Sequence, residues 1–572
     1  KRFTAPGYSG RYALSFAVPA GVKQGLYRVE IHNGAGGDNA WAQAGSVRIE
    51  TPAAWPTNIF SVLEFYGKDA DREMLKTLTK YSHAPDRTEG IRTALKKAKD
   101  NGGGIVYFPP GRYGISGEIS VAPRTVIRGE GEGLVVLWWG SGRFGLDGGS
   151  DEGYERKEGA PEPPPNLVSG RDFVLEDMSL YLPLEYATAI AAWENVRIRR
   201  ARVRIDHYWT LHTRRYEGCV ARLGRNCEVT DCDIQAKGAG IAVGEYNLVA
   251  RNRVTAGKTN CTLGGGRQAI VEDNNFVSTH PAAYQNIAGQ GRNIYYARNR
   301  HEAVNAHQAD YSFTFDAGDA AFMGRLAAVN ATRLTLASDP AYPAWAGEDS
   351  RVGRNSVVCI LDGRGAGQYR DVVANHGRDW EIDRPFDLEP DKVSVVTIVS
   401  FNGRVLVVGN RFEAANWVNA GYGTSIEVVY AGNHLFRCAQ LLNYGVEAKG
   451  FFLPSWRVQY LDNDLNEGRT SADVLGSVKN QDQFSGPITR CVVQRRLSLG
   501  ADNSGSIVVG GNARDVLVEN CRLRHPASAI KVDGNALGIV LRNNVFESGP
   551  PRYEGGRLSE AVVLPADAVE KP

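Results

Sequence analysis

Val249-Ala-Arg-Asn252-Arg-Val254, Val271-Glu-Asp-Asn274-Asn-Phe276 and Tyr296-Ala-Arg-Asn299-Arg-His301 are three versions of one six-residue unit. Apolar or ring side chains stand first and last, and asparagine stands fourth. The same unit precedes them at Leu175–Leu180, Ile198–Val203 and Val229–Ile234. It resumes at Val407–Phe412, Tyr430–Leu435, Tyr460–Leu465, Val492–Leu497, Val518–Leu523 and Leu541–Phe546. The fourth positions are Met178, Ala201, Cys232, Asn252, Asn274, Asn299, Asn410, Asn433, Asn463, Arg495, Cys521 and Asn544, so seven of twelve are asparagine. A short strand recurring every 20 to 30 or so residues marks a solenoid, in which each coil buries its apolar face against the next. An inward-facing Asn at a repeated turn can bond backbone groups and the Asn of the neighbouring coil, pairing polar atoms that a bare turn leaves unmet. Cys232 and Cys521 fill that slot as small, readily buried side chains. The chain therefore reads as all-β, a parallel β-helix.

Composition agrees. In 572 residues there are 65 Gly, 42% hydrophobic and 23% charged residues, with a formal net charge of +2. Disorder needs fewer apolar residues and more net charge. A transmembrane helix needs about 18 or more uninterrupted apolar residues, and no stretch offers them. Nucleic-acid binding wants a concentrated basic face, which a near-neutral chain does not suggest. The eight Cys contain no CxxC pair, so no zinc site is read from spacing, and no cofactor or metal is expected.

Outside the repeat, residues 11–50, within an opening domain of residues 1–56, alternate as half-buried strands, at Tyr12, Leu14 and Phe16, then Leu26, Tyr27, Val29 and Ile31, then Val47 and Ile49. They read as a partial β-sandwich or cap with a linker, and the start reads as a cut through a longer polypeptide. Thr88, or Asp86 before it, is placed to cap a helix through Ile91, Ala94, Leu95 and Ala98, and Asn101-Gly-Gly-Gly104 stops it. Residues 57–318 and 401–549 form the solenoid. Residues 319–400 form an inserted β subdomain standing off one flank, and 550–572 a tail or linker.

The segment Phe60 to Leu137 carries Arg87-Thr-Glu-Gly-Ile91, Asn101-Gly-Gly-Gly-Ile-Val-Tyr-Phe-Pro-Pro-Gly-Arg-Tyr113 and Thr125-Val-Ile-Arg-Gly-Glu-Gly131. It resembles the opening segment of the pectate-lyase-like superfamily of right-handed parallel β-helices. That resemblance implies a right-handed solenoid with a polysaccharide on an exterior face. It leaves activity open, since the fold hosts lyases, hydrolases, epimerases, tailspikes and binding modules. In length and design the chain is also similar to β-helical carbohydrate-binding modules joined to xylanases, the family numbered 89. This implies xylan as ligand, covalently adjacent domains and a secreted, extracellular, bacterial origin in plant cell wall degradation.

Candidate site residues fall in three places. Asp316 and Asp319 end a coil where the insertion departs, near His301, Glu302 and His307, and with Glu245 they are the acids available to a glycosidase. Asp beside Gly at such a boundary is also an ordinary turn residue. Trp209, His212, Arg215, Tyr216 and Glu217 crowd a lengthened loop, where aromatic faces can stack on sugars and Arg and His donate to hydroxyls. A solvated polar loop with one packed Trp explains them equally well. Tyr246, His307, Trp417 and Tyr422 extend the candidate groove. The sequence lacks Asn-Thr-Asp, an Asp-Asp pair and Arg-Ile-Lys, all expected of polygalacturonase-like enzymes, and no acidic cluster suits calcium. A non-catalytic polysaccharide-binding module is the preferred reading, with a hydrolase or lyase using Asp316 as the alternative.

Overall fold

The computed structural model describes residues 8–9, 14–15, 18, 21–32, 37–51, 54–65, 86–139, 166–182, 188–205, 219–236, 238–257, 259–263, 266–279, 286–287, 291–303, 311–315, 320–341, 356–414, 417–421, 424–448, 450–476 and 489–564. Two compact units emerge, Lys1–Thr57 and Asn58–Pro572. In the first, Gly25–His32 pairs antiparallel with Trp41–Ile49, and Tyr8–Ser9 with Leu14–Ser15.

The second unit is built of parallel coils with three faces. A first sheet runs from Ile59–Ser61 through Gly104–Tyr107 and Thr125–Arg128 to Val562–Leu564, each strand parallel to the one a coil earlier. A second sheet runs from Gly111–Gly114 to Val545–Phe546. A third comprises Ile119–Val121 to Asn286–Ile287 and then Tyr311–Phe313 to Tyr553–Glu554. Parallel pairing with each coil stacked on the next is the β-helix read from the repeat. The first residue of each unit points inward from the first sheet and the last points inward from the second. Stacked in register, Val229, Val249, Val271, Tyr296 and Val407 share one core column, all fully buried.

Asparagine joins the coils as expected. Asn252 Nδ2 donates to Asn274 Oδ1 at 2.9 Å, Asn274 Nδ2 to Asn299 Oδ1 at 2.9 Å, and Asn299 Nδ2 to Asn410 Oδ1 at 3.1 Å. The ladder continues through Asn433 to Asn463. Each Oδ1 also accepts a backbone N–H of the preceding Asn, so no turn amide is stranded in the core. Cys232 and Cys521 open such contacts through their backbone N–H, to Asn252 and Asn544. All eight cysteines are free thiols.

One coil departs from the sequence reading. Tyr460 pairs with Gln494, and Leu465 with Leu499, so the unit is Gln494–Leu499 and the slot residue is Leu497 rather than Arg495. A fully buried Gln at a position elsewhere apolar shifted the apparent pattern by two residues.

The helix Thr88–Asp100 closes the start of the solenoid with Ile91, Ala94, Leu95 and Ala98 buried. Asp86 supplies its cap, accepting from Thr88 N at 3.0 Å and Thr88 Oγ1 at 2.6 Å. Gly103 N bonds Ala98 O at 2.8 Å beyond the last turn.

The insertion is a closed barrel of six antiparallel strands, ordered Ala320–Asn330, Arg333–Leu336, Asp379–Ile382, Tyr369–His376, Ser356–Asp362 and Val395–Ser400. Its core includes Phe322, Leu334, Ile360, Trp380 and Ile398. It does not stand clear of the coils. Val357, Cys359, Leu361, Val399 and Phe401 pack against Ile426, Phe452, Leu453 and Trp456 of the solenoid. Arg292 clamps Asp371 through two bonds of 2.9 and 2.7 Å. The coils close across the insertion, because Ile294 pairs directly with Val405.

Candidate functional site

Of the residues singled out in the sequence, Trp209, His212, Arg215, Tyr216, Glu217, His307, Asp316, Asp319 and Tyr422 lie outside the described residues. His301 belongs to the core. It stacks on Phe412 with ring centroids 4.6 Å apart and meets the Tyr296 hydroxyl at 2.7 Å. Burial holds its imidazole down at about 3, so it stays neutral. Glu302 is on the surface near Arg300.

Glu245 and Tyr246 sit where the third sheet hands the chain to the first, and this edge repeats coil by coil. Arg225, Glu245, Arg267 and Arg292 bridge in one row, and Glu194 joins it as partner of Arg225. The residues before them are Trp193, Gly224, Gly244, Gly266 and Gly291. Those after them are Asn195, Asn226, Tyr246, Gln268 and Asn293. The edge is thus a triplet repeat: Trp193-Glu-Asn195, Gly224-Arg-Asn226, Gly244-Glu-Tyr246, Gly266-Arg-Gln268 and Gly291-Arg-Asn293.

Each row has a steric reason. A Cβ on Gly224 would collide with the Trp193 carbonyl oxygen, and one on Gly244 with the Gly224 carbonyl oxygen, so close coil stacking selects glycine there. The third row is left-handed throughout, with φ of 53° at Asn195 and Asn226, 55° at Tyr246, 53° at Gln268 and 56° at Asn293. Asn and Asp tolerate that region best. Asn226 Nδ2 bonds Asn195 Oδ1 at 2.6 Å, and Asn195 Nδ2 bonds Asp172 Oδ1 at 2.7 Å.

Against these rules two residues are exceptions, and both are exposed aromatics. Trp193 occupies the glycine row and is 46% exposed; Tyr246 occupies the amide row and is 47% exposed. Trp193 is also the extra residue of a β-bulge. Gly170 pairs with Ala192 and Arg171 with Glu194, leaving Trp193 unmatched against the preceding coil. Bulges re-aim side chains. Arg225 lies over the Tyr246 ring at 5.3 Å, and Arg267 stands 3.8 Å from Glu245. Trp193 and Tyr246 are two coils apart, about 10 Å along the solenoid axis at the usual strand spacing. The row ends against the barrel, where Arg292 binds Asp371 and faces the Phe401 ring at 4.5 Å.

Trp417, half-buried, pairs with Gln440 on the third sheet, and Gln440 with Ser471. Beside them Asp473, missed in the sequence, accepts from Gln440 Nε2 at 2.6 Å and Ser471 Oγ at 3.1 Å. Burial pushes its carboxyl up to about 6 against those two hydrogen bonds. The signal was an Asp alternating with core residues in Ser471-Ala-Asp-Val-Leu. Among the described residues no group of three or more His, Cys, Asp or Glu is placed to hold a metal, and no helix is long and apolar enough to cross a membrane.

A family model described as rhamnogalacturonase A/epimerase, pectate lyase-like, matches residues 82–302. That span contains the capping helix and all five triplets, and it agrees with the resemblance seen in Phe60–Leu137. No curated protein sequence matches the chain. Solved structures similar to it include the N-terminal fragment of gene product 12 of bacteriophage phi29, at 10% identity and a TM-score of 0.46, covering 89% of this chain and 72% of that one. The surface adhesin PfbA of Streptococcus pneumoniae aligns at 10% identity and a TM-score of 0.41, covering 85% and 92%. The A-module of the Azotobacter vinelandii mannuronan C-5 epimerase AlgE6 aligns at 12% identity and a TM-score of 0.36, covering 88% and 97%.

Proposed function

We propose that the chain is a polysaccharide-binding β-helix, right-handed, acting as a non-catalytic module of a larger secreted enzyme, with xylan as its ligand. The carrying observation is Trp193, half exposed at the one described triplet where the close-packed row is not glycine. A large aromatic on a rigid edge offers a flat apolar face at little entropic cost. Tyr246, two coils on, supports a second sugar of the same extended chain. Between the rings Arg225, Glu245 and the Asn195 and Asn226 amides supply donors and acceptors for hydroxyls. The two rings together favour an extended polymer over a small ligand.

Affinity electrophoresis of the whole chain on xylans, glucans and pectins tests this reading, with reducing ends and absorbance near 235 nm followed in parallel. Retardation on xylan without product is expected, weakened roughly tenfold or more in Trp193→Ala. Unchanged mobility of that variant would overturn the site. A second reading, catalysis at the third sheet, is favoured by the raised carboxyl of Asp473, which Gln440 and Ser471 hold by hydrogen bonds. It requires product formation that disappears in Asp473→Asn.

A further inference from the structure

Many outward arginines of the neighbouring coils hold a carboxylate. On the strand Arg197–Ile205, Arg197 meets Glu228 at 3.4 Å, Arg199 meets Glu176 at 2.6 Å, Arg200 meets Asp177 at 2.6 Å and Arg202 meets Glu132 at 3.0 Å. Arg251 meets Asp231 at 2.7 Å. The arginines around Trp193 do not. Arg171, Arg222 and Arg225 are exposed, and among the described residues none forms an ion pair with a carboxylate. Arg225 has the Tyr246 ring, and Arg222 neighbours the Cys219 thiol.

Their register surrounds the indole. Arg171 and Arg225 pair with Glu194, the residue after Trp193, from the coils on either side. Arg222 pairs with Ala191, two residues before Trp193 on the same outward side of the strand. Glu194, which lies between Arg171 and Arg225 in register, forms an ion pair with neither. Asp172, Glu194 and Glu245 neighbour them in sequence or register, yet none of these carboxylates makes an ion pair with any of the three among the described residues. A guanidinium presents a planar fork of donors that fits carboxylate and sulfate oxygens in pairs.

We infer that Arg171, Arg222 and Arg225 read negatively charged substituents, carboxylate or sulfate, on the sugar seated at Trp193. The cluster thereby selects acidic over neutral forms of the bound polysaccharide. This rests on the binding reading above. It adds that the neutral backbone is held by the rings and the acidic decoration by the arginines.

The test measures affinity of the full chain for glucuronoxylan, for the same polymer after carboxyl reduction, and for a sulfated xylan, at low and high salt. The expected result is a preference of roughly tenfold or more for an acidic form, from one or two charge-assisted contacts. That preference should shrink with salt and vanish in Arg222→Gln/Arg225→Gln. Arg222→Lys/Arg225→Lys should keep part of it, since charge remains and the fork is lost. Preference for glucuronoxylan assigns the carboxylate, and preference for sulfated xylan assigns the sulfate. Equal affinity for all three polymers, or a preference that survives in the glutamine variant, overturns the inference. Trp193→Ala separates the two layers. Loss of binding to every xylan in that variant upholds the underlying reading whatever the arginines do, and unchanged binding removes both.

Discussion

His301 shows how one side chain can look functional in sequence and prove structural. It ends the unit Tyr296–His301, where its neighbours in register are Phe276 and Phe412, so it is an inward-facing ring of the core column. Its imidazole is neutral in the folded chain, with a value of about 3 against 6.5 for the free group. Above about pH 6.5 neither state binds a proton there. Between about 6.5 and 3 only the unfolded chain does, so stability falls with acidification by up to about 1.4 kcal/mol per pH unit from this group. His301→Phe should flatten the fall of the urea midpoint between pH 7 and pH 4 relative to the parent chain. Parallel pH profiles would show that His301 is not the titrating group. At pH 8 the same variant leaves the Tyr296 hydroxyl unpartnered, at a cost of about 1–3 kcal/mol.

Within the coils, the asparagine ladder was legible because a polar residue at a fixed place in an apolar unit needs a structural reason. Asn410 joins the two halves of the solenoid across the barrel. It accepts from Asn299 N and Nδ2 and donates through Nδ2 to Tyr296 O at 3.1 Å. Asn410→Ala should cost about 2–4 kcal/mol in urea unfolding, because it strands buried donors and leaves a void. A change under about 0.5 kcal/mol would mean the coils relax to pair those groups. Trp456, fully buried between barrel and coils, should cost about 3–5 kcal/mol on truncation to Ala. If unfolding of that variant stays at the parent midpoint, the barrel is not held by this cluster. The triplet edge escaped the sequence reading because it lies at strand ends and the turns beyond them. There hydrophobic period carries no information, and Gly, Arg and Asn look like ordinary turn residues. Its signal was positional, visible only when coils of unequal length are aligned. Residues Gly264 and Gly265 and the long segments before Cys219 and Gly291 break the spacing. The unit Gln494–Leu499 was misplaced for a related reason, a polar residue in an apolar column.

For the whole molecule, the parallel solenoid was written in the repeat, and its capping helix in the segment around Ile91 to Gly104. The outer surface is largely self-neutralised. At the turn before the asparagine slot, Asp177 pairs with Arg200, Asp231 with Arg251, Asp273 with Arg298 and Asp462 with Arg496. Exposed pairs of this kind add little stability each. The edge at Trp193 adds three exposed arginines without ion pairs beside a half-exposed indole. High salt should therefore leave thermal stability nearly unchanged while lowering affinity for acidic polymers, a separation readable by calorimetry on one sample series.

The central claim is that a polysaccharide lies along the edge marked by Trp193 and Tyr246. Oxidative footprinting of the whole chain with and without saturating xylan tests it most directly, since both rings are open to modification in the free protein. The account expects Trp193 and Tyr246 to be protected together when xylan is bound, while exposed residues elsewhere react as before. Bound xylan with both rings still oxidised at the free rate would contradict it.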